Sequence, residues 1–479
     1  MEILTRLVIT LLLTTSFVVN GRTGETPLQI PLPVKTISLD PTGVQDAYSL
    51  WVARQVNCQL VRLNGMAPIP EVAKEIRYVS PTVIQITLNS NFQFHDGSPI
   101  SAQDAVATFE LLRKSRKGLR NFFQWVKEFR TLDDRTVELE MTQPVPHFLK
   151  VLGTSNYAIF PAKFIAKAQN DPSLWQQPVG CGGYRVAGWA SQSDSIKLEP
   201  VKIGRPITFI FTEGRSLETS QIKNFDILIL PYANKIAGDP LFREETIFDP
   251  KQVYVGINTR KKRWQSLKNR CELLAGIDPE PLLKAYGQQA ELPTSFFPRG
   301  VVGFREGSLP AKKGAGAQSG KPLGSLCLSF LALSVAPELR PHYVESFSRL
   351  AKHLRIEIIE NPKNFARDFM ESNCDALILG FKSNSLDGYD FILRFGDQNL
   401  NYTGYQNLDL SQKIRQSQYI SDPALRADAY GAVEAEILGQ CLARPLITIL
   451  NDKILIKRQL ETPGIGEGPI NDYYLGDVR

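Results

Sequence analysis

The sequence predicts an α/β fold with mixed and parallel sheets, and three observations predict it. From Ser325 onward, strand and helix patterns alternate through five successive elements, the sequence form of a largely parallel sheet with helices on its faces. Val83–Leu88 and Thr136–Met141 each alternate at period two, as half-buried strands do. Between them, Ala105, Phe109 and Leu112 recur at helical spacing after a turn and a cap.

At 479 residues the chain has room for about three domains of ordinary size. Its 43% hydrophobic and 22% charged content suits a globular protein with a sizeable core. A net charge of +6, from 55 basic and 49 acidic residues dispersed along the chain, is too mild for a nucleic-acid binder. The basic run 260–263 reads as a solvated helix start. Residues 1–21 read as a secretory signal: Arg6 precedes an uncharged apolar stretch at 7–19, too short to span a bilayer, and Val19 and Gly21 are small enough for cleavage. Cys58 is the first cysteine, so a lipid anchor near the cleavage point is disfavoured. The six cysteines show neither CxxC nor a Cys/His metal pattern. Export permits disulfides, but spacing does not choose pairings, and Cys327, Cys374 and Cys441 fit buried thiols as well as bridges.

Along the chain, a strand-like run at 36–39 ends in Asp40-Pro41, and a helix follows at 45–55. In the segment 91–106, Asp96-Gly97 is turn chemistry, Pro99 stops a strand, and Ser101 with Asp104 forms a capping box for the next helix. Gly180, Gly182 and Gly183 let the backbone turn before a strand at 184–187. They lack the Lys-Ser/Thr of a phosphate loop. A helix at 267–275 closes on Gly276, and Asp278-Pro279 caps another. The Gly-rich stretch 312–322 is an exposed loop. Then come a strand at 326–333, a helix at 342–353, strands at 356–359 and 376–381 with a helix at 363–370 between them, a helix at 410–419, a long helix from Asp422-Pro423 to 440, and a strand at 444–450.

Segment 91–106, with its Phe-His-Asp-Gly core, resembles a hallmark of bacterial extracellular solute-binding protein family 5, which serves peptide and nickel ABC importers. Similar correspondences follow at 143–148, 178–186, 224–230, 253–259 and 401–407, and at Arg426 with Tyr430, so the resemblance runs from about Thr36 to Asp452. It implies the periplasmic-binding-protein-like fold of class II, or cluster C: two lobes built from three domains. The implied division is a signal peptide at 1–21; domain I at 22–45, 162–259 and 456–479; domain II at 46–161; and domain III at 260–455. The implied function is that of the periplasmic substrate-binding component of a peptide-type ABC importer, which captures a peptide or peptide-like solute by hinge closure and delivers it to permease subunits. A monomer without cofactor, nucleic-acid partner or catalysis is expected. The alternative is an orphan member used for sensing or protein interaction without transport.

Four histidines, His95, His147, His342 and His353, have no partner at a recognised catalytic spacing, and HExxH, GxSxG and the P-loop are absent. His95 reads as part of the turn, and His342 and His353 as too far apart on one helix to share a metal. Peptide-binding members hold the ligand's amino terminus with an aspartate in a segment that matches 380–388 here. Phe381 then stands for the family's aromatic and Asn384 for its aspartate, while Gln45 falls where a cleft carboxylate is expected. Losing that charge weakens the grip on an ammonium by about 1.5–3 kcal/mol. Lys382 adds a like charge, which Asp387 or Asp390 compensates only if the loop shifts. The candidate ligand-binding residues are therefore Gln45, Gly380, Phe381, Asn384 and Asp387, with no metal site. Trp51, Trp189 and Tyr254 are further cleft aromatics or core, and the sharper expectation is a ligand without a free amino terminus.

Overall fold

The computed structural model describes residues 26–478 except 44–45, 65–66, 115–122, 124, 190–192, 203, 213–216, 230–235, 310–323, 332–338, 360–370, 372, 384–385, 397–400 and 466–472. The expected loop at 312–322 and helix at 363–370 lie outside the described residues.

The chain opens with β1 (Leu28–Leu32), not with a strand at 36–39. Ile37 and Leu39 are buried, as their apolarity requires, but in irregular backbone; the Ser38 N–H bonds the Ser49 hydroxyl instead of a neighbouring strand. Asp46 caps α1 (Ala47–Val56) through the Ser49 N–H. Next come the hairpin β2 (Val61–Asn64) and β3 (Ala67–Pro70), then β4 (Ala73–Ser80) and β5 (Val83–Leu88). The capping box forms as read: the Ser101 N–H donates to Asp104 Oδ2 at 2.8 Å, and the Asp104 N–H reaches back to Ser101 Oγ at 3.4 Å, starting α2 (Ala102–Lys114). Gly97 takes φ 82°, the left-handed conformation its turn requires. After β6 (Val126–Thr131) and β7 (Thr136–Met141), the antiparallel order β4-β5-β7-β6 makes one sheet, over which Phe109, Phe123 and Phe129 cluster. The short α3 (Phe148–Leu152) follows.

β8 (Tyr184–Gly188), β9 (Ser195–Pro200) and β10 (Ile207–Phe211) return to β1, which pairs in parallel with β10, Leu28 opposite Ile207, so an early strand joins a sheet completed far along the chain. Trp51 of α1 packs edge-on against Phe209 of that sheet, 5.5 Å between centroids, and is core. Each such fully buried aromatic contributes about 1.5–3 kcal/mol. The glycines at 180–183 are needed for close approach rather than for turning. A Cβ on Gly180 would lie 2.2 Å from the Val56 carbonyl oxygen, and one on Gly182 2.5 Å from that of Gln55.

Following β11 (Ile227–Leu228) is β12 (Phe242–Ile257), an element that starts eleven residues before the family-like segment 253–259. Then come β13 (Ala290–Glu291), β14 (Ser325–Leu331), β15 (His353–Ile359), β16 (Ala376–Lys382), α4 (Tyr389–Gly396), α5 (Pro423–Gly439) and β17 (Ala443–Lys457). Among the described residues the order is β11-β17-β12-β16-β14-β15, with β13 on β17 and with β14 parallel to both β15 and β16, as the alternation predicts. His342 and His353 do not share a helix: the helix Arg340–Phe347 ends six residues early, and His353 opens β15 opposite Ser325. Its turn is closed by the Lys352 N–H bonding the Gly324 carbonyl.

β12 and β17 pair antiparallel from Phe242↔Lys457 to Gly256↔Ala443, interrupted by register shifts between Phe248 and Lys251, where the wider bulge lies, and between Val253 and Tyr254. On one side of that bulge, Ile247, Ile454 and Ile456 pack with β1, β8, β9 and β10; on the other, Val253, Val255 and Ile447 pack with β14, β16 and the helix Leu267–Gly276. Two strands roughly 50 Å long thus pass from one lobe's core into the other's.

Candidate functional site

The segment after β16 is where the sequence expected the ligand's amino terminus. Gly380 sits within β16 opposite Val253, and Phe381 stacks on Tyr402 with centroids 6.2 Å apart while the Arg394 guanidinium lies 4.0 Å over its face. Phe381 is 9% exposed, so this aromatic is a wall with both faces covered. Asn384 and Gln45 lie outside the described residues.

Asp387 has a definite structural occupation. It is 1% exposed, its Oδ2 accepts from Arg426 Nε at 3.1 Å, and its Oδ1 accepts from the Tyr389 N–H at 3.0 Å and from the Tyr430 hydroxyl. Arg426 also donates to the carbonyls of Ile420 and Ser421. Burial and then the neighbouring Asp387 carboxylate push the Tyr430 phenol well above its ordinary value, keeping it a hydrogen-bond donor. Backbone geometry locks the arrangement: Leu386 takes φ 54°, and a Cβ on Gly388 would strike the Val302 carbonyl oxygen at 2.5 Å. The Arg426 and Tyr430 read as family positions are therefore the clamp on Asp387. Both oxygens of this carboxylate are thus engaged by protein donors, which ties Asp387 into the fold. Asp390 instead accepts from Ser383 Oγ at 2.8 Å.

Lys382 was expected to add charge beside the pocket. Its ammonium instead lies 2.9 Å from Asp249, in a group with Lys251 and Asp452 at the β12 bulge; Lys251 is 2.5 Å from Asp452 and 3.3 Å from Asp249. Burial disfavours the Asp249 carboxylate, but Lys382 and Lys251 outweigh it and hold that carboxyl at about 2. Four charges cancel pairwise where the strands pass between lobes.

The lobes meet at a seam that sequence reasoning missed. Trp125, just before β6, lies 6.4 Å from Tyr389 of α4, and His147, just before α3, lies 5.5 Å from Trp125 and 6.3 Å from Tyr389. His147 is 2% exposed, and neither ring nitrogen has a hydrogen-bond partner among the described residues. Burial lowers its pKa; Asp387 and Asp390 oppose that, and Arg426 and Lys150 reinforce it. His95 has the structural place expected of it, with Nε2 3.0 Å from the Gly182 carbonyl oxygen. The only signal for His147 was its position beside Pro144 and Pro146, which says nothing of a partner lobe.

All six cysteines are bridged: Cys58–Cys181, Cys271–Cys441 and Cys327–Cys374. The first ties the end of α1 to the glycine loop. Near the third lies an open cavity of about 610 Å³ at the β15 edge, lined by Lys261, Lys262, Arg263, His353 and Arg355 among others. Here the basic run forms a one-turn 3-10 helix at Lys262–Gln265, Lys261 pairs with Asp375 at 2.7 Å, and Arg263 stacks on Trp264.

Residues 67–203 match the middle region of the bacterial extracellular solute-binding proteins, family 5. The oligopeptide-binding protein OppA of Bacillus subtilis is 22% identical, over 93% of this chain and 92% of its own. Among solved structures, the binding protein MoaA of A. tumefacien R10, in complex with mannopinic acid, superposes with a TM-score of 0.80 at 16% identity, covering 95% of this chain and 99% of that one. The dipeptide binding protein of Pseudoalteromonas sp. SM9913, in complex with Met-Leu, gives 0.79 at 17% identity, covering 95% and 100%. These likenesses establish the two-lobed α/β fold.

Proposed function

We propose that this chain, whose residues 67–203 match the bacterial extracellular solute-binding proteins of family 5, captures a peptide or peptide-like solute between its lobes by hinge closure and hands it to the permease subunits of an ABC importer. The observation that carries this reading is the β12/β17 pair. It is the long covalent passage between two separately packed cores, and its bulge at Phe248/Lys251 is a place where two strands can flex without breaking either core. We place the hinge there, some ten residues before Thr259, with β1 and β8 to β10 as domain I, the sheet of β4 to β7 as domain II, and β14 to β16 with their helices as domain III. Residues 1–21 are proposed to be removed on export to the periplasm, where the monomer acts.

Gly380, Phe381, Asn384 and Gln45 are retained as proposed cleft residues, and Asp387 as the clamp that shapes the loop between them. With that aspartate engaged and Asn384 neutral, the solute is held without a counter-charge for a free amino terminus. Native mass spectrometry of the protein purified from its own periplasm tests the reading. The expected spectrum carries an adduct of peptide size that exchanges with an added tripeptide pool; a bare chain that takes up nothing from the pool contradicts it.

A further inference from the structure

We propose that the basic cavity at the amino ends of β14, β15 and β16 is a second binding site, outside the cleft, for a phosphate monoester. The site stands or falls independently of solute capture.

Two segments far apart in the chain bring cations to this one cavity of about 610 Å³: Lys261, Lys262 and Arg263 from the turn after β12, and His353 and Arg355 from β15. His353 and Arg355 are two apart on a strand and so share a face, where they stand opposite Ser325 and Cys327 of β14. The Arg263 guanidinium is fixed at the wall, donating to the Ser325 carbonyl at 3.1 Å and lying over the Trp264 ring. Among the described residues Asp375 is the one carboxylate that lines the cavity, and it is spent inside the fold. It is 5% exposed, accepts from Trp264 Nε1 and from the Cys327 N–H at 2.8 Å each, and pairs with Lys261 at 2.7 Å. Lys262 has no hydrogen bond or ion pair among the described residues. Arg355 has Glu357 at 3.6 Å, a long and solvent-exposed pairing that cancels little of its charge. The cavity therefore holds cations in excess, and its volume is on the scale of small-molecule pockets. A carboxylate would match the Arg355 fork but bring a single charge. A phosphate monoester brings two, with a pair of oxygens for the guanidinium and a third for the Lys262 ammonium. The His353 imidazole and the Ser325 hydroxyl are further donors at the wall. β16 runs seven residues, roughly 20 Å, from Asp375 to the cleft loop that follows Lys382, so the anion and the captured solute are bound apart.

The test uses the full mature chain in isothermal titration calorimetry at constant ionic strength, with inorganic phosphate and glycerol phosphate as soluble probes. Sedimentation with phosphatidylcholine vesicles, carrying or lacking phosphatidic acid, is the lipid arm. The wild type is expected to bind both soluble probes at a single site and to give no such response to chloride. Lys262→Met and Arg355→Met should each weaken phosphate at least ~10-fold, the measure of one charge-assisted hydrogen bond. Arg355→Lys, which keeps the charge but loses the fork, should retain more affinity than Arg355→Met. Lys268→Met, whose ammonium is exposed outside the cavity, should leave the affinity within about 2-fold. Lys262 and Arg355 are both exposed, so their variants should unfold at the wild-type urea concentration. Sedimentation with phosphatidic acid vesicles alone, without a response to the soluble probes, supports the same chemistry with a lipid headgroup as its source. No response to any probe, a response that chloride matches, or equal affinity in the wild type and both methionine variants overturns the inference. Uptake of the tripeptide pool, measured on the same variants, judges solute capture separately.

Discussion

Arg426, Tyr430 and Asp387 show how a single residue's chemistry decides its role. A buried carboxylate with three donors is a structural anchor, and removing one partner leaves the charge stranded. Arg426→Leu is expected to cost about 3–5 kcal/mol of stability, read as a lowered urea midpoint; a loss below ~1 kcal/mol would mean that Asp387 finds water or another cation. His147 gives a pH signature. Burial holds its folded pKa below the ordinary 6.5, with Asp387, Asp390, Arg426 and Lys150 as its charged neighbours. The unfolded chain then binds a proton that the folded chain refuses, so stability falls as pH drops below 6.5 toward the folded value. His147→Gln should flatten the part of that slope not due to His95, whose pKa burial also lowers; identical slopes in variant and wild type would contradict the assignment. At this scale the sequence was legible where roles are local, as in the Asp96-Gly97 turn and Ser101 with Asp104. It was not legible at Asp387, whose partners stand 39 and 43 residues away on another helix.

At the scale of elements, patterning located most strands because one face of each is buried, and period two survives in the sequence whatever the partner. It missed β1, where Pro31 breaks the strand signal although the strand sits at a sheet edge that tolerates proline. It also shortened β12, because Glu244, Glu245, Asp249 and Pro250 hide the continuation toward the first lobe. The bulge there carries the Asp249, Lys251, Lys382 and Asp452 group, and its acid sensitivity has a definite sign. Asp249, held at about 2, contributes stability that is present above its ordinary 3.8 and lost as pH falls through 2. Lys382→Met removes one of the cations holding it down, so the acid unfolding midpoint should move to higher pH in a circular dichroism titration. An unmoved midpoint would place that ion pair in solvent-screened territory.

The whole molecule depends on contacts that join distant parts of the chain, and these are what one sequence conceals. Cys58–Cys181 and Cys271–Cys441 close loops of 123 and 170 residues, so their pairing follows from tertiary structure and not from spacing. Replacing Cys58 and Cys181 together by serine should cost about 2–5 kcal/mol, seen as a lower thermal midpoint that reducing agent no longer shifts as far. The contact of Trp125, His147 and Tyr389 is hidden for the same reason: it lies in a continuous buried cluster that joins residues of β4 to β7 with residues of β16 and α4, far apart in the chain. Small-angle X-ray scattering of the mature chain, with and without a tripeptide pool shown by native mass spectrometry to be bound, tests hinge closure most directly. A smaller radius of gyration on binding, with the open population depleted, is the predicted result. The same envelope in both states, with peptide bound, would contradict it.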